Sequence, residues 1–193
     1  KMQFKYNNPF VFDIETYNIG NKQRLNNTNT DELRKKYNLN NGRFLTREEL
    51  IDYYIKLVHT FPISNIEDGF DQDDFEAFHL LKSQIPEIQI VGDDLFATNV
   101  NRLKEGIEKD SANAILLKIN QIGTVSEALE TSKIAMEQGY DVIVSLRSGE
   151  TNDDFIADLA VAIGAKQIKL GSPVRAERKA KYNLMLRIYE EIK

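Results

Sequence analysis

Short apolar runs alternate with longer amphipathic stretches along most of this chain. Runs of apolar and β-branched residues occupy positions 10–14, 63–66, 88–91, 114–119, 142–145 and 167–169. Most stop at a polar residue, as strands buried in a parallel sheet do. From the second run onward they recur at roughly the ~30-residue period of a strand-plus-helix unit. Helices are predicted between them. Thr46 and Glu49 form a capping-box pattern ahead of Leu50, Ile51, Tyr54, Ile55 and Val58, and Thr124 and Glu127 repeat it before Leu129, Ile134 and Ala135. Thr151 is expected to cap a helix carrying Phe155, Ile156, Leu159 and Ile163, with Gly164 placed to end it. A last helix from about Glu177 puts Tyr182, Leu186 and Tyr189 on one stripe.

Such alternation implies a parallel sheet with right-handed crossovers. Residues 17–41 break the pattern, being rich in Asn and charge; they predict an extended loop with one short helix near 31–37. Residues 1–9 read as a lead-in, and residues 10–193 as one domain. An open doubly wound sheet and a barrel both fit the repeat. A nucleotide-binding open sheet normally carries a glycine-rich turn after its first strand, whereas Asp13 is followed by Ile14, Glu15 and Thr16. Charged residues instead close nearly every strand, where barrel enzymes place their chemistry. The expectation is an α/β chain forming an incomplete TIM barrel of about six parallel strand-helix units, short of the eight that close a ring.

The 193 residues suffice for one sizeable core. With 25 basic against 30 acidic side chains the net charge is -5, which argues against a nucleic-acid groove or an anionic membrane surface. No apolar run approaches the ~20 residues that span a bilayer, and the first nine lack the apolar stretch of a secretory signal. The absence of cysteine removes disulfides, thiolate nucleophiles and zinc-thiolate sites. A cytoplasmic location is the default expectation.

The residues at which the strands run out are Asp13, Glu67 with Asp68, Asp93 with Asp94, Lys118, Arg147 with Ser148, and Lys169. In a parallel barrel these ends share one mouth, carboxylates followed by cations. Hard divalent cations such as Mg²⁺ want several oxygen ligands. A lysine facing such an ion can act as a base, because a neighbouring cation disfavours the protonated amine. Arg147 and Lys169 suit an anionic substrate. The chemistry suggested is proton removal beside a carboxylate, with metal stabilising the enediolate. Asp68, Asp71, Asp73 and Asp74 read as solvated charges of loops and helix starts. His59 and His79 fall in amphipathic helices, away from the strand ends.

The stretches 64–70 (SNIEDGF), 89–99 (QIVGDDLFATN), 116–123 (LLKINQIG), 147–158 (RSGETNDDFIAD) and 167–169 (QIK), with the closing segment 175–191, resemble the C-terminal part of enolase. The likeness is dense from about Gly42 onward. It implies Asp13, Glu67 and Asp93 as Mg²⁺ ligands and Lys118 as the base that takes the proton of 2-phosphoglycerate. It implies Arg147 and Ser148 on the phosphate and Lys169 on the carboxylate end. The segment following Asp13 is shorter than the family's and different from it. Leu146 stands where the family has a substrate-contacting histidine, and leucine neither donates nor accepts a hydrogen bond. Leu170 replaces a threonine, while Gly171 and Ser172 remain.

The resemblance also implies a chain beginning at the third barrel strand, without the family's N-terminal α+β domain or the first two strands and their catalytic glutamates. The expectation is an enolase-like, catalytically impaired protein that keeps part of its Mg²⁺ and phospho-acid site, as a binding or assembly component completed by a protein partner or the missing barrel half. The alternative is an active phosphopyruvate hydratase, a glycolytic lyase, made whole by the absent part. A scaffold that binds no metal is a further possibility.

Overall fold

The computed structural model describes residues 37–39 and 44–193. The lead-in, the first expected strand with Asp13, and nearly all of the predicted early loop lie outside the described residues. Tyr37, expected at the end of a short helix, instead belongs to strand β1 (Tyr37–Asn38), which pairs antiparallel with β2 (Phe44–Leu45).

Five strands follow: β3 (Asn65–Glu67), β4 (Gln89–Gly92), β5 (Ala114–Leu117), β6 (Asp141–Ser145) and β7 (Gln167–Lys169). All pair in parallel, in the spatial order β3-β4-β5-β6-β7. Helices α1 (Arg47–Thr60), α2 (Phe75–Gln84), α3 (Val100–Glu108), the short α4 (Ile119–Ile122), α5 (Val125–Glu137), α6 (Phe155–Ala162) and α7 (Ala176–Glu191) alternate with them. A doubly wound sheet reverses its strand order at a switch point; this one runs in a single direction, as a barrel does.

The sheet has two different faces, because successive side chains point to opposite sides. Ile66, Ile90, Ile115, Leu117, Val142 and Val144 join the main core with helix residues such as Leu50, Tyr54, Phe78 and Leu103. Val91, Ala114, Leu116 and Ile143 form a separate small cluster on the other face. The same alternation carries Glu67, Asp93, Lys118 and Lys169 onto that inner face at the strand ends. Glu67 and Lys169 sit on the two edge strands, which four spacings of ~4.8 Å would hold about 19 Å apart in a flat sheet. Their charged groups meet at 2.8 Å, so the sheet is curled. It is half of a TIM barrel.

The boundaries differ from the sequence expectation in instructive ways. The apolar run 114–119 is two elements: β5 stops at Leu117, and α4 begins behind Lys118, whose side chain makes no capping bond. The Thr46 capping box forms in full, Thr46 Oγ1 accepting from the Glu49 amide at 3.2 Å and Glu49 Oε2 from the Thr46 amide at 2.8 Å. Thr124 caps α5 in the same way, but its hydroxyl donates to Glu127 Oε2 at 2.5 Å, so the glutamate closes on the hydroxyl. Thr151 does not cap α6. Its hydroxyl accepts from the Asp153 amide at 3.3 Å within the preceding loop, and the helix starts behind Asp154. Gly164, at φ 68, follows the end of α6 as expected. On α7 the Tyr182, Leu186 and Tyr189 stripe is exposed, while Lys181 is the buried residue. Among the described residues no helix is long and apolar enough to cross a membrane.

Candidate active site at the strand ends

β3 delivers Glu67 to the inner face and then turns sharply. Asp68 takes the left-handed conformation at φ 45, which short polar residues such as Asp tolerate better than most. That turn swings its carboxylate across to the end of β4. Oδ1 accepts from the Asp93 amide at 2.9 Å and Oδ2 from the Asp94 amide at 2.8 Å. Asp68 is therefore not the solvated loop charge its sequence context suggested; it fastens two strand ends together. Burial pushes its carboxyl up to about 7, opposed by the two amide hydrogen bonds and reinforced by the charges of Asp93 and Asp94. Asp71, Asp73 and Asp74 keep their loop and helix-start roles: Asp71 accepts from the Asp73 amide, Asp73 pairs with Arg102 at 3.2 Å, and Asp74 caps α2. The Tyr54 hydroxyl, from α1, donates to the Gly69 carbonyl at 2.9 Å and anchors the far side of this turn.

β4 presents Asp93 immediately after Gly92. A side chain at Gly92 would lie 2.6 Å from ring carbons of the buried Phe96, so only glycine lets this strand end lie against the aromatic ring. The Asp93 side chain is 3% exposed. Its Oδ2 accepts from Lys118 Nζ, and its Oδ1 from Gln121 Nε2 at 3.3 Å. Thr98 oversees this arrangement. Its hydroxyl accepts from the Lys118 amide at 3.0 Å and donates to Gln121 Oε1 at 3.1 Å, while its carbonyl accepts from Thr131 Oγ1 at 2.9 Å. Thr98 has φ 53, an unfavourable conformation for a β-branched residue and a form of strain that concentrates at functional sites. Thr98 and Gln121 both lie within stretches that carry the sequence resemblance, yet neither has a charge at a strand end to draw notice.

Of the residues expected to form the site, the structure joins Asp93 to Lys118 and Glu67 to Lys169. Lys169 Nζ donates to both Glu67 oxygens, at 2.8 and 2.9 Å. Arg147 and Ser148 are exposed on the loop after β6, where the Arg147 amide donates to Glu150 Oε1 at 2.9 Å. Leu146 is half-buried, its amide donating to the Lys169 carbonyl at 3.2 Å. Asp13 lies outside the described residues. Oxygens of Asp68, Asp93 and Asp94 lie within 4.8 Å of one another. That all-carboxylate set has the chemistry a hard divalent cation selects, and a cation there would offset the repulsion that adds to burial in raising Asp68.

A mouth of carboxylates followed by lysines on half a parallel barrel narrows the possibilities, and comparison with known proteins decides among them. Residues 16–193 match the model of the enolase C-terminal TIM barrel domain. This chain belongs to the enolase family. It is 57% identical over 151 residues to the enolase of Methanocaldococcus jannaschii, a match covering 78% of this chain and 36% of that protein. Identity is 54% over 151 residues with the enolase of Methanococcoides burtonii and 54% over 152 residues with that of Methanopyrus kandleri, each at the same coverage. The chain thus spans about a third of the length of the curated enolases it matches. What it holds of the enolase barrel includes the strand ends with Glu67, Asp93, Lys118 and Lys169.

Proposed function

We propose that this enolase-family chain binds a small phosphorylated hydroxy acid of the 2-phosphoglycerate class together with Mg²⁺, and that its turnover is impaired. The observation carrying the reading is Lys118, buried at the mouth against Asp93, whose carboxylate gathers with those of Asp68 and Asp94. In this reading Lys118 Nζ takes the proton from the carbon beside the substrate carboxylate, and Asp93 and the Thr98 hydroxyl hold the lysine in place for it. Lys169 faces the carboxylate end, while the Arg147 guanidinium and Ser148 hydroxyl grip the phosphate. Asp93, with Glu67 and Asp13 or with Asp68 and Asp94, would hold the metal, which when bound supplies positive charge for the enediolate.

Impairment follows from Leu146. An apolar side chain in place of the family's histidine leaves part of an anionic ligand without a hydrogen-bonding partner, and such desolvation costs binding. With 2-phosphoglycerate and Mg²⁺ the isolated chain should form no phosphoenolpyruvate, while calorimetry detects Mg²⁺ binding. Clear turnover removes the impairment, and failure to bind Mg²⁺ removes the site reading in favour of a plain scaffold.

The geometry of the Lys118–Asp93 pair favours a second reading, an active phosphopyruvate hydratase once the remainder of a barrel is supplied. Among the described residues β3 and β7 have a parallel neighbour on one side only, and bare strand edges call for a covering partner. Adding the N-terminal part of a related enolase and restoring histidine at Leu146 should then raise activity; no gain counts against it.

A further inference from the structure

Lys181, in the middle of α7, has a fully buried side chain, although the helix around it is largely exposed. A lysine at that depth is costly unless its charge and donors are met. Its ammonium meets the loop between β6 and α6. Lys181 Nζ donates to the Thr151 carbonyl at 2.7 Å and lies 3.6 Å from Glu150 Oε2. The other oxygen of Glu150 accepts the Arg147 amide at 2.9 Å. The chain of contacts runs from α7 through Glu150 to the backbone of the residue next to Ser148. Arg187, a little further along α7, pairs with Asp154 at 3.2 Å and ties the helix to the far end of the same loop.

We propose that Lys181 is a positioning residue that fixes the Arg147–Ser148 loop in its anion-gripping shape by holding Glu150. The proposal rests on the reading of that loop as the phosphate grip. A leucine or methionine would fill the same space, so the ammonium is explained by what it holds. Arg147 and Ser148 are exposed and have little packing of their own, so the geometry they offer a phosphate is inherited from Glu150. The described Mg²⁺ candidates Glu67, Asp68, Asp93 and Asp94 sit at the ends of β3 and β4, away from this clamp.

The test uses the full chain as Lys181→Met and Glu150→Gln; the second keeps an oxygen for the Arg147 amide but removes the charge that Lys181 holds. Hydrogen exchange at the Arg147 amide should quicken about ten-fold in Lys181→Met relative to β5 amides, the loss of one charge-assisted contact. Glu150→Gln should move it the same way. Titration with inorganic phosphate should show several-fold weaker binding in Lys181→Met, with Mg²⁺ affinity unchanged, a split that general destabilisation would not produce. Unaltered Arg147 exchange in a folded Lys181→Met overturns the clamp; if that variant does not fold, unaltered exchange in Glu150→Gln overturns it instead. Mg²⁺ affinity falling in step with phosphate affinity also overturns it. If the unsubstituted chain ignores phosphate, the grip reading fails, while the exchange measurement still decides the clamp.

Discussion

Two lysines reach the inner face of the half-barrel, each against a carboxylate, and they are not equivalent. Lys118 and Asp93 are 11% and 3% exposed at the side chain, whereas Lys169 is 28% exposed. Removing one member of a buried pair strands the other charge, a loss of about 3–5 kcal/mol, and the loss falls toward about 1 kcal/mol as solvent screens the pair; with Glu67 at 10% the Lys169 pair lies between these limits. Lys118→Met should therefore lower stability in urea more than Lys169→Met, and equal losses would mean that water reaches Asp93. Tyr54 offers a second test. Burial raises its hydroxyl well above the usual tyrosine range, and burial likewise pushes Tyr140 up to about 12. An unfolded phenol releases its proton near ~10 while the folded one holds it, so the folded state binds more protons above that pH. Stability contributed by these groups is complete below pH ~10 and is lost as pH rises toward and past ~12. Tyr54→Phe should flatten that alkaline decline, and at neutral pH it should cost about 1–3 kcal/mol by leaving the Gly69 carbonyl unsatisfied. Denaturation midpoints across the alkaline range check both parts.

The strands show why close packing matters to the chemistry. Gly92 has no room for a methyl group beside Phe96, so Gly92→Ala should destabilise by about 1–3 kcal/mol through overpacking and displace Asp93, next in the chain. A thermal melt and Mg²⁺ titration of that variant read the two effects separately. Runs such as 114–119 and 142–145, with their unbroken apolar stretches 114–117 and 142–144, were legible in sequence because burial on both faces demands continuous apolar residues. Lys118, Asp93, Glu67 and Lys169 were legible as the polar residues that stop those runs. Asp68 was not, because its role depends on a left-handed turn that residue type alone does not dictate. Thr98 and Gln121 escaped notice because hydrogen bonds between loops have no period in sequence. Thr151 misled for a related reason: Thr151, Asp153 and Asp154 all suit a helix start, and local competition within the loop, where Asp153 Oδ1 takes the Phe155 amide at 3.0 Å, placed the start behind Asp154.

At the scale of the molecule the curl of the sheet needs a cause, since five strands alone do not close on themselves. Among the described residues the inner apolar cluster is Val91, Ala114, Leu116 and Ile143, a small area to draw the sheet round. Beyond that layer stands Glu67, accepting two hydrogen bonds from Lys169 on the opposite edge strand. Among the described residues this pair joins the first and last strands of the sheet directly, at the mouth. Glu67→Gln removes its charge while leaving an oxygen to accept, so the backbone need not rearrange locally. If the pair holds the edges together, the variant should relax its curvature and admit a hydrophobic dye to the inner cluster, raising dye fluorescence several-fold at a pH where the fold persists. High salt should act in the same direction but more weakly, because a partly buried pair is incompletely screened. Dye binding and small-angle scattering that match the unsubstituted chain would assign the curvature to the helices packed outside, with the Glu67–Lys169 pair serving ligand binding alone.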